Sequence, residues 1–209
     1  MTNPDRSQPD HAETQPLLSQ KGPDWWLMFR KFLQRGRVIA SFAPSSRYMA
    51  RAVTRDIVFE TARCIVELGA GTGPITAELL HRVKPHTRLL ILELDADLCT
   101  RLRRRFPNAE IIEGDAANLG QMLDERGIDK VDHIISGLPL PSVPEPIRDR
   151  ILDVSARRLR PDGSFRQLTV MPWVYYKMYR RYFEDVRFRM VFRNLPPGGV
   201  YVCKGWQET

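Results

Sequence analysis

Cys64-Ile65-Val66-Glu67-Leu68-Gly69-Ala70-Gly71-Thr72-Gly73 is the stretch on which the rest of the chain depends. Apolar and β-favouring residues run directly into a glycine-rich turn. Pro74-Ile75-Thr76-Ala77-Glu78-Leu79-Leu80 then takes up helical spacing. A buried strand, a tight turn and a helix start follow, with Pro74 at a tolerated first-turn position. Glycines suit such a turn because they permit positive φ and carry no Cβ to hold a ligand off the backbone N–H groups. Leu89-Leu90-Ile91-Leu92-Glu93 supplies a second apolar strand that ends in an acid about twenty residues on. That spacing is the one in which a carboxylate accepts hydrogen bonds from ribose hydroxyls.

The order Glu67-Leu68-Gly69-Ala70-Gly71-Thr72-Gly73 differs from the G-x-G-x-x-G of dinucleotide folds. It resembles motif I of the class I S-adenosylmethionine-dependent methyltransferases. Glu93 after the second strand and Glu113-Gly114-Asp115-Ala116 after a third (Ala109 to Ile112) are similar to that family in order and spacing. The resemblance implies S-adenosylmethionine as cofactor, with Asp115 at the adenine amino group. By the same resemblance Glu67, Gly69, Ala70, Gly71, Gly73, Glu93, Ala116 and Ser136 complete the cofactor set.

From Cys64 onward strands and helices alternate. Strand 2 (Arg88 to Glu93) leads to a helix from Ala96 to Phe106, and strand 3 to a helix near Asn118 to Arg126. Strand 4 (Val131 to Ile135) is followed by a helix from Glu145 to Leu159 and by strand 5 (Ser164 to Val170). A helix from Trp173 to Phe183, a strand from Val186 to Phe192, a turn from Asn194 to Gly199 and a strand from Val200 to Lys204 complete the chain. Such alternation implies a parallel sheet with helices on both faces. With the resemblance, the expectation is an α/β, Rossmann-like class I methyltransferase fold. Its seven-stranded sheet is mostly parallel, with a C-terminal antiparallel hairpin and an N-terminal amphipathic helix.

The 209 residues, 43% of them apolar, suffice for one core, so 61–209 reads as a single cofactor-binding domain. Residues 1–23 are polar and broken by four prolines, which reads as a disordered tail, and 24–60 as a helical docking and substrate-cap segment. On a helix from Asp24 to Arg37, Trp25, Trp26, Met28, Phe29, Phe32 and Leu33 fall on one side. Arg30, Lys31, Arg35 and Arg37 take most of the other. Aromatic residues opposite a basic face describe a helix lying in a membrane interface; the plain alternative packs that aromatic side on the core. Ser45 or Ser46 is positioned to cap a following helix through Val53. The net charge of +7 points to an anionic partner, nucleic acid or membrane. Three scattered cysteines give neither a disulfide framework nor a zinc pattern, and no metal site is expected. No apolar run suggests a leader or a membrane span, so the reading is a soluble or peripheral protein.

The acceptor side belongs beyond the carboxyl ends of the strands. The loop after strand 4 reads Ser136-Gly137-Leu138-Pro139-Leu140-Pro141. Enzymes that methylate flipped adenines carry a side-chain amide or acid and an aromatic residue there, and this loop has Ser and Leu. Ala43-Pro44-Ser45-Ser46-Arg47, the motif I turn, this loop and Arg193-Asn194-Leu195-Pro196-Pro197 together resemble bacterial phospholipid N-methyltransferases, which are related to the ribosomal RNA adenine dimethylases. The resemblance implies stepwise N-methylation of a phosphatidylethanolamine-type lipid by a cytoplasmic protein bound peripherally to the inner face of the bacterial inner membrane, with no nucleic acid partner. Candidate proton acceptors are Tyr48, the carbonyls of Gly137 and Leu138, and water; Arg47 and Arg193 are candidates for the lipid phosphate. His133 reads as a partly buried strand residue. An ornithine lipid acceptor, an RNA adenine methyltransferase and a non-catalytic membrane scaffold remain as alternatives, and the oligomeric state stays open.

Overall fold

In a computed structural model the chain is described over residues 43–169, 175–194 and 197–207. The tail and the docking helix expected at 1–37 lie outside these residues, as do Val170, Trp173 and the turn residues Leu195 and Pro196.

The core strand β1 (Cys64–Leu68) is buried at every position. It pairs in parallel with β2 (Arg88–Glu93) on one side and β4 (Val131–Ser136) on the other. Its apolar run, broken only by Glu67, has a simple cause. Ile65 faces one packed layer and Val66 and Leu68 the other, so neither face meets water. Outward from β2 lies β3 (Glu110–Glu113), and outward from β4 lies β5 (Leu159–Thr169). The strand β7 (Gly198–Trp206) then runs antiparallel to both β5 and β6 (Phe183–Val191). The sheet order is β3-β2-β1-β4-β5-β7-β6, as expected for a mostly parallel sheet with an antiparallel C-terminal hairpin.

Helices α1 (Ala43–Thr54), α2 (Pro74–Arg82) and α3 (Ala96–Arg105) cover one face, through Val53, Leu79 and Leu102. On the other face lie α4 (Leu119–Asp124), α5 (Glu145–Arg158) and the single turn α6 (Tyr176–Tyr179), through Leu123, Ile151 and Tyr179.

Several boundaries differ from the sequence expectation. Helix α1 spans Ala43–Thr54, so Ser45 and Ser46 lie inside its first turn and not ahead of it. Pro44 is tolerated there because first-turn N–H groups have no intrahelical acceptor. The helix expected to reach Phe183 ends at Tyr179, since Phe183 pairs with Trp206 as the first residue of β6. Strand β5 starts at Leu159, five residues early, and its ladder against β4 slips between Val131 and His133 before it becomes regular at Ser164.

Two clamps fix α1 across the sheet. Arg166, 3% exposed on β5, donates from Nη1 to the Val53 carbonyl at 3.1 Å and to the Arg55 carbonyl, and from Nε to Ser164 Oγ at 2.9 Å. Burial pushes its guanidinium down to about 10. Arg189 of β6 pairs with Asp56, just beyond the helix. The start of α1 lies at the opposite end: a Cβ on Gly198 would stand 3.2 Å from Met49 Cε and 2.8 Å from the Thr169 carbonyl. Thr169 ends β5, so α1 enters from the carboxyl edge of the sheet.

Candidate functional site

The glycine turn after β1 is built by backbone. Gly69, Gly71 and Gly73 have φ of 71°, 60° and 82°. Gly69 N and Ala70 N both donate to the Leu92 carbonyl, at 2.9 and 3.2 Å, which folds the turn over the end of β2. The three glycines have different neighbours. A Cβ at Gly69 would meet Leu138 Cδ2 at 2.6 Å, and one at Gly73 would meet Phe106 Cε2 at 2.8 Å; at Gly71 it would meet nothing within 4 Å. Gly69 and Gly73 are thus glycines for packing, while Gly71 borders open space of the kind a ligand fills.

Two acids sit behind the turn. Glu93, 1% exposed, accepts at Oε2 from Gly71 N at 2.7 Å and at Oε1 from Leu94 N and Asp95 N at 2.8 and 3.0 Å. Burial raises its pKa in spite of these three N–H groups. Glu67 is fully buried. Its Oε2 accepts from Thr76 Oγ1 at 2.7 Å, and its Oε1 has no partner. Desolvation pushes the Glu67 carboxyl up to about 8. An orphaned buried oxygen beneath a glycine turn is a polar atom that a bound ligand would satisfy.

Glu93 and Asp115 line one recess with Gly69, Leu138 and Ile151. Asp115 is partly buried, and its Oδ1 caps the following turn by accepting from Ala117 N at 2.9 Å. Ala116 lines the same recess. Of the expected cofactor set, Gly69, Glu93, Asp115 and Ala116 are therefore brought to one place. Ser136 is not at that recess: it is fully buried, and its Oγ accepts from Leu138 N at 3.3 Å within its own loop.

The loop after β4 lies against the glycine turn. Gly137 N donates to the Leu68 carbonyl at 2.8 Å, and a Cβ at Gly137 would lie 2.8 Å from the Gly69 carbonyl. Only glycine permits that approach. The Leu138 carbonyl, a candidate proton acceptor, already accepts from Leu140 N at 2.9 Å and Gln167 Nε2 at 2.8 Å. Both of its lone pairs are used. Gln167 was missed in the sequence, although a polar residue inside Phe165 to Leu168 was a signal; its register partner is Ser136.

Tyr48 is 38% exposed and Arg47 is exposed, both beside Met49 at the carboxyl edge. Arg193 is exposed in the turn just past Val191, which pairs with Gly198, and so lies at the same edge beyond the outermost strand. Among the described residues no hydrogen bond joins Tyr48 to Gly137 or Leu138. His133 is partly buried as expected, with Nδ1 2.9 Å from Ser164 Oγ, and burial lowers its pKa to about 4. Cys64, Cys99 and Cys203 are all buried, and burial raises their thiols above the ordinary range.

Residues 65–163 match the general methyltransferase-domain family. The chain is 46% identical over 189 residues to an ornithine lipid N-methyltransferase of Singulisphaera acidiphila, covering 89% of this chain and 98% of that protein. It is 33% identical over 113 residues to a probable ribosomal RNA small subunit methyltransferase A of Methanospirillum hungatei; the match covers 54% of this chain and 41% of that one. Among solved structures, the 1,6-didemethyltoxoflavin N1-methyltransferase of Burkholderia thailandensis, with bound S-adenosylhomocysteine, superposes with a TM-score of 0.65 at 15% identity. It covers 96% of this chain and all of that one. A TehB-like S-adenosylmethionine-dependent methyltransferase from Corynebacterium glutamicum gives 0.59 at 18% identity, over 86% and 98%.

Proposed function

Because the chain belongs to the class I S-adenosylmethionine-dependent methyltransferases, in the family of the bacterial lipid N-methyltransferases, we propose that it methylates the side-chain amine of an ornithine lipid. The observation that carries this reading is the 46% identity sustained along 98% of an ornithine lipid N-methyltransferase. Phosphatidylethanolamine, which the sequence motifs put first, becomes the second acceptor. A flipped adenine has less support. Ser136 is turned into its own loop and Leu138 is buried against Gly69, so this loop offers neither an amide nor a stacking face.

The cofactor is S-adenosylmethionine, and when bound it supplies a methyl group activated on a sulfonium. The chain's residues fit it. Gly71 leaves room for a ligand beside the turn, Glu93 presents a fixed carboxylate at the recess, and Asp115 lies across from it. Glu67 lies beneath the turn with Oε1 unpaired, so a cation bound there would favour its ionised form. Only a neutral amine attacks, and a lipid ammonium titrates well above neutrality, so a proton must leave at the acceptor edge. With the Leu138 carbonyl occupied, the Gly137 carbonyl, the Tyr48 hydroxyl and water are the acceptors we propose. Arg47 and Arg193 are the donors we propose for the anionic part of the head group, a carboxylate in ornithine lipid or a phosphate in phosphatidylethanolamine.

We further propose that the protein works as a peripheral protein on the cytoplasmic face of the inner membrane. The support is the sequence of 24–37, in which Trp25, Trp26, Phe29 and Phe32 oppose Arg30, Lys31 and Arg35, and the entry of α1 from the acceptor edge. Among the described residues no helix is long and apolar enough to cross a membrane. Expression in a host that contains both unmethylated lipids, followed by mass analysis of its lipid extract, tests the acceptor. Methylated ornithine lipid is expected. Methylated phosphatidylethanolamine alone would select the second reading, and neither product would exclude both.

A further inference from the structure

The carboxyl edge carries an exposed apolar side chain. Phe192, in the turn after β6, is 77% exposed, the most exposed of the large hydrophobic residues described. Val191 immediately before it is paired to Gly198, so the ladder holds the base of this turn, and Asn194 N donates back to the Val191 carbonyl at 3.3 Å. Phe192 therefore stands on a braced turn.

The same edge carries exposed arginines. Arg193 is the neighbour of Phe192, and Arg47 and Arg51 are exposed on α1, whose start packs at the same edge through Met49 and Gly198. Among the described residues none of these three arginines has a carboxylate partner. No acid occurs in the helix Ala43–Thr54, and none from Val186 to Trp206. An exposed aromatic side chain at an edge that also carries these arginines suits the boundary between acyl chains and anionic head groups, where the ring is buried and the cations meet phosphates.

We propose that this edge is a second membrane-docking surface, formed by Phe192 with Arg47, Arg51 and Arg193, and that its partner is an anionic lipid bilayer. It would set the enzyme with the carboxyl ends of its strands against the membrane, so that a lipid head group reaches the loop after β4 without its acyl chains leaving the bilayer. The proposal rests on the lipid reading of the acceptor. Sedimentation with vesicles needs no turnover, so the failure of one can be told from the failure of the other.

The test uses the full chain and vesicles of equal parts phosphatidylglycerol and phosphatidylcholine, with pure phosphatidylcholine as the uncharged control. Phe192→Ala is expected to weaken binding to the anionic vesicles about tenfold, the worth of one large apolar side chain at an interface. Phe192→Trp should restore it. Val58→Ala, at an exposed apolar residue in the α1–β1 connection, should change nothing. Cofactor affinity should be the same in all four proteins, which also reports that each is folded. With a dispersed short-chain aminolipid as acceptor, Phe192→Ala should turn over at the wild-type rate. Unchanged vesicle binding in Phe192→Ala would overturn the proposal. So would equal losses on vesicles and on the dispersed acceptor, since Phe192 would then be lining the acceptor pocket.

Discussion

Glu67 and the glycines above it separate two kinds of constraint that one motif combines. Gly71→Ala places a Cβ in open space, at a φ of 60° that costs about 1 kcal/mol. It should leave the fold nearly intact while lowering cofactor affinity at least tenfold, about 1.4 kcal/mol. Gly69→Ala instead drives a Cβ to 2.6 Å from Leu138 Cδ2 and should lower thermal stability as well as affinity. Calorimetric titration beside a melting curve distinguishes the two. Glu67 carries a pH signature. Its carboxyl titrates at about 8 when folded and near 4.5 when exposed, so between these values the folded state holds a proton that the unfolded chain has lost. Its contribution is complete at low pH and disappears as pH rises through about 8, with a slope approaching about 1.4 kcal/mol per unit. His133 works in the opposite sense between about 4 and 6.5, because its folded pKa is depressed. The Glu67 slope is therefore read from pH 6.5 to 8 in cofactor-free protein. Glu67→Gln should flatten it there, and an unaltered slope would show that the proton sits elsewhere.

At the scale of elements, helix α1 is held by its end and works by its beginning. Arg166 carries the buried half of that attachment, so Arg166→Met leaves the Val53 and Arg55 carbonyls without their donor. The cost should be about 2–4 kcal/mol, a fall in Tm of roughly 5–15 °C, with cofactor affinity of the folded protein retained. Denaturant unfolding checks it; a loss below about 0.5 kcal/mol would mean that α1 is seated by its apolar face alone. Elements differed in how far the sequence disclosed them. The unit from Cys64 to Glu93 was legible because fully buried strands write themselves as apolar runs and the turn between them requires positive φ. The edge hairpin was underestimated at its outer end: Phe183 to Asp185 look like a helix end and a loop until Trp206 and Lys204 of β7 supply their ladder partners. The bond from Gln167 to the Leu138 carbonyl was beyond reach. It depends on the register that sets Ser136 opposite Gln167, which no local pattern encodes.

For the whole molecule, the sheet gathers three things at one edge: the cofactor turn, the loop at Gly137, and a rim of arginines with Phe192 and Tyr48. The first two were legible in the sequence as motifs. Of the rim, Arg47, Arg193 and Tyr48 were also candidates in the sequence, whereas Phe192 read only as the end of a strand, because its exposure depends on tertiary packing. The central claim is that this edge delivers a methyl group to a lipid amine. Its most direct measurement gives the purified protein radiolabelled S-adenosylmethionine with vesicles containing ornithine lipid, vesicles containing phosphatidylethanolamine, or unmodified ribosomal RNA. Label should enter the ornithine lipid, at a rate that rises with pH toward the titration range of the amine. Label in the RNA, with none in either lipid, would contradict the account.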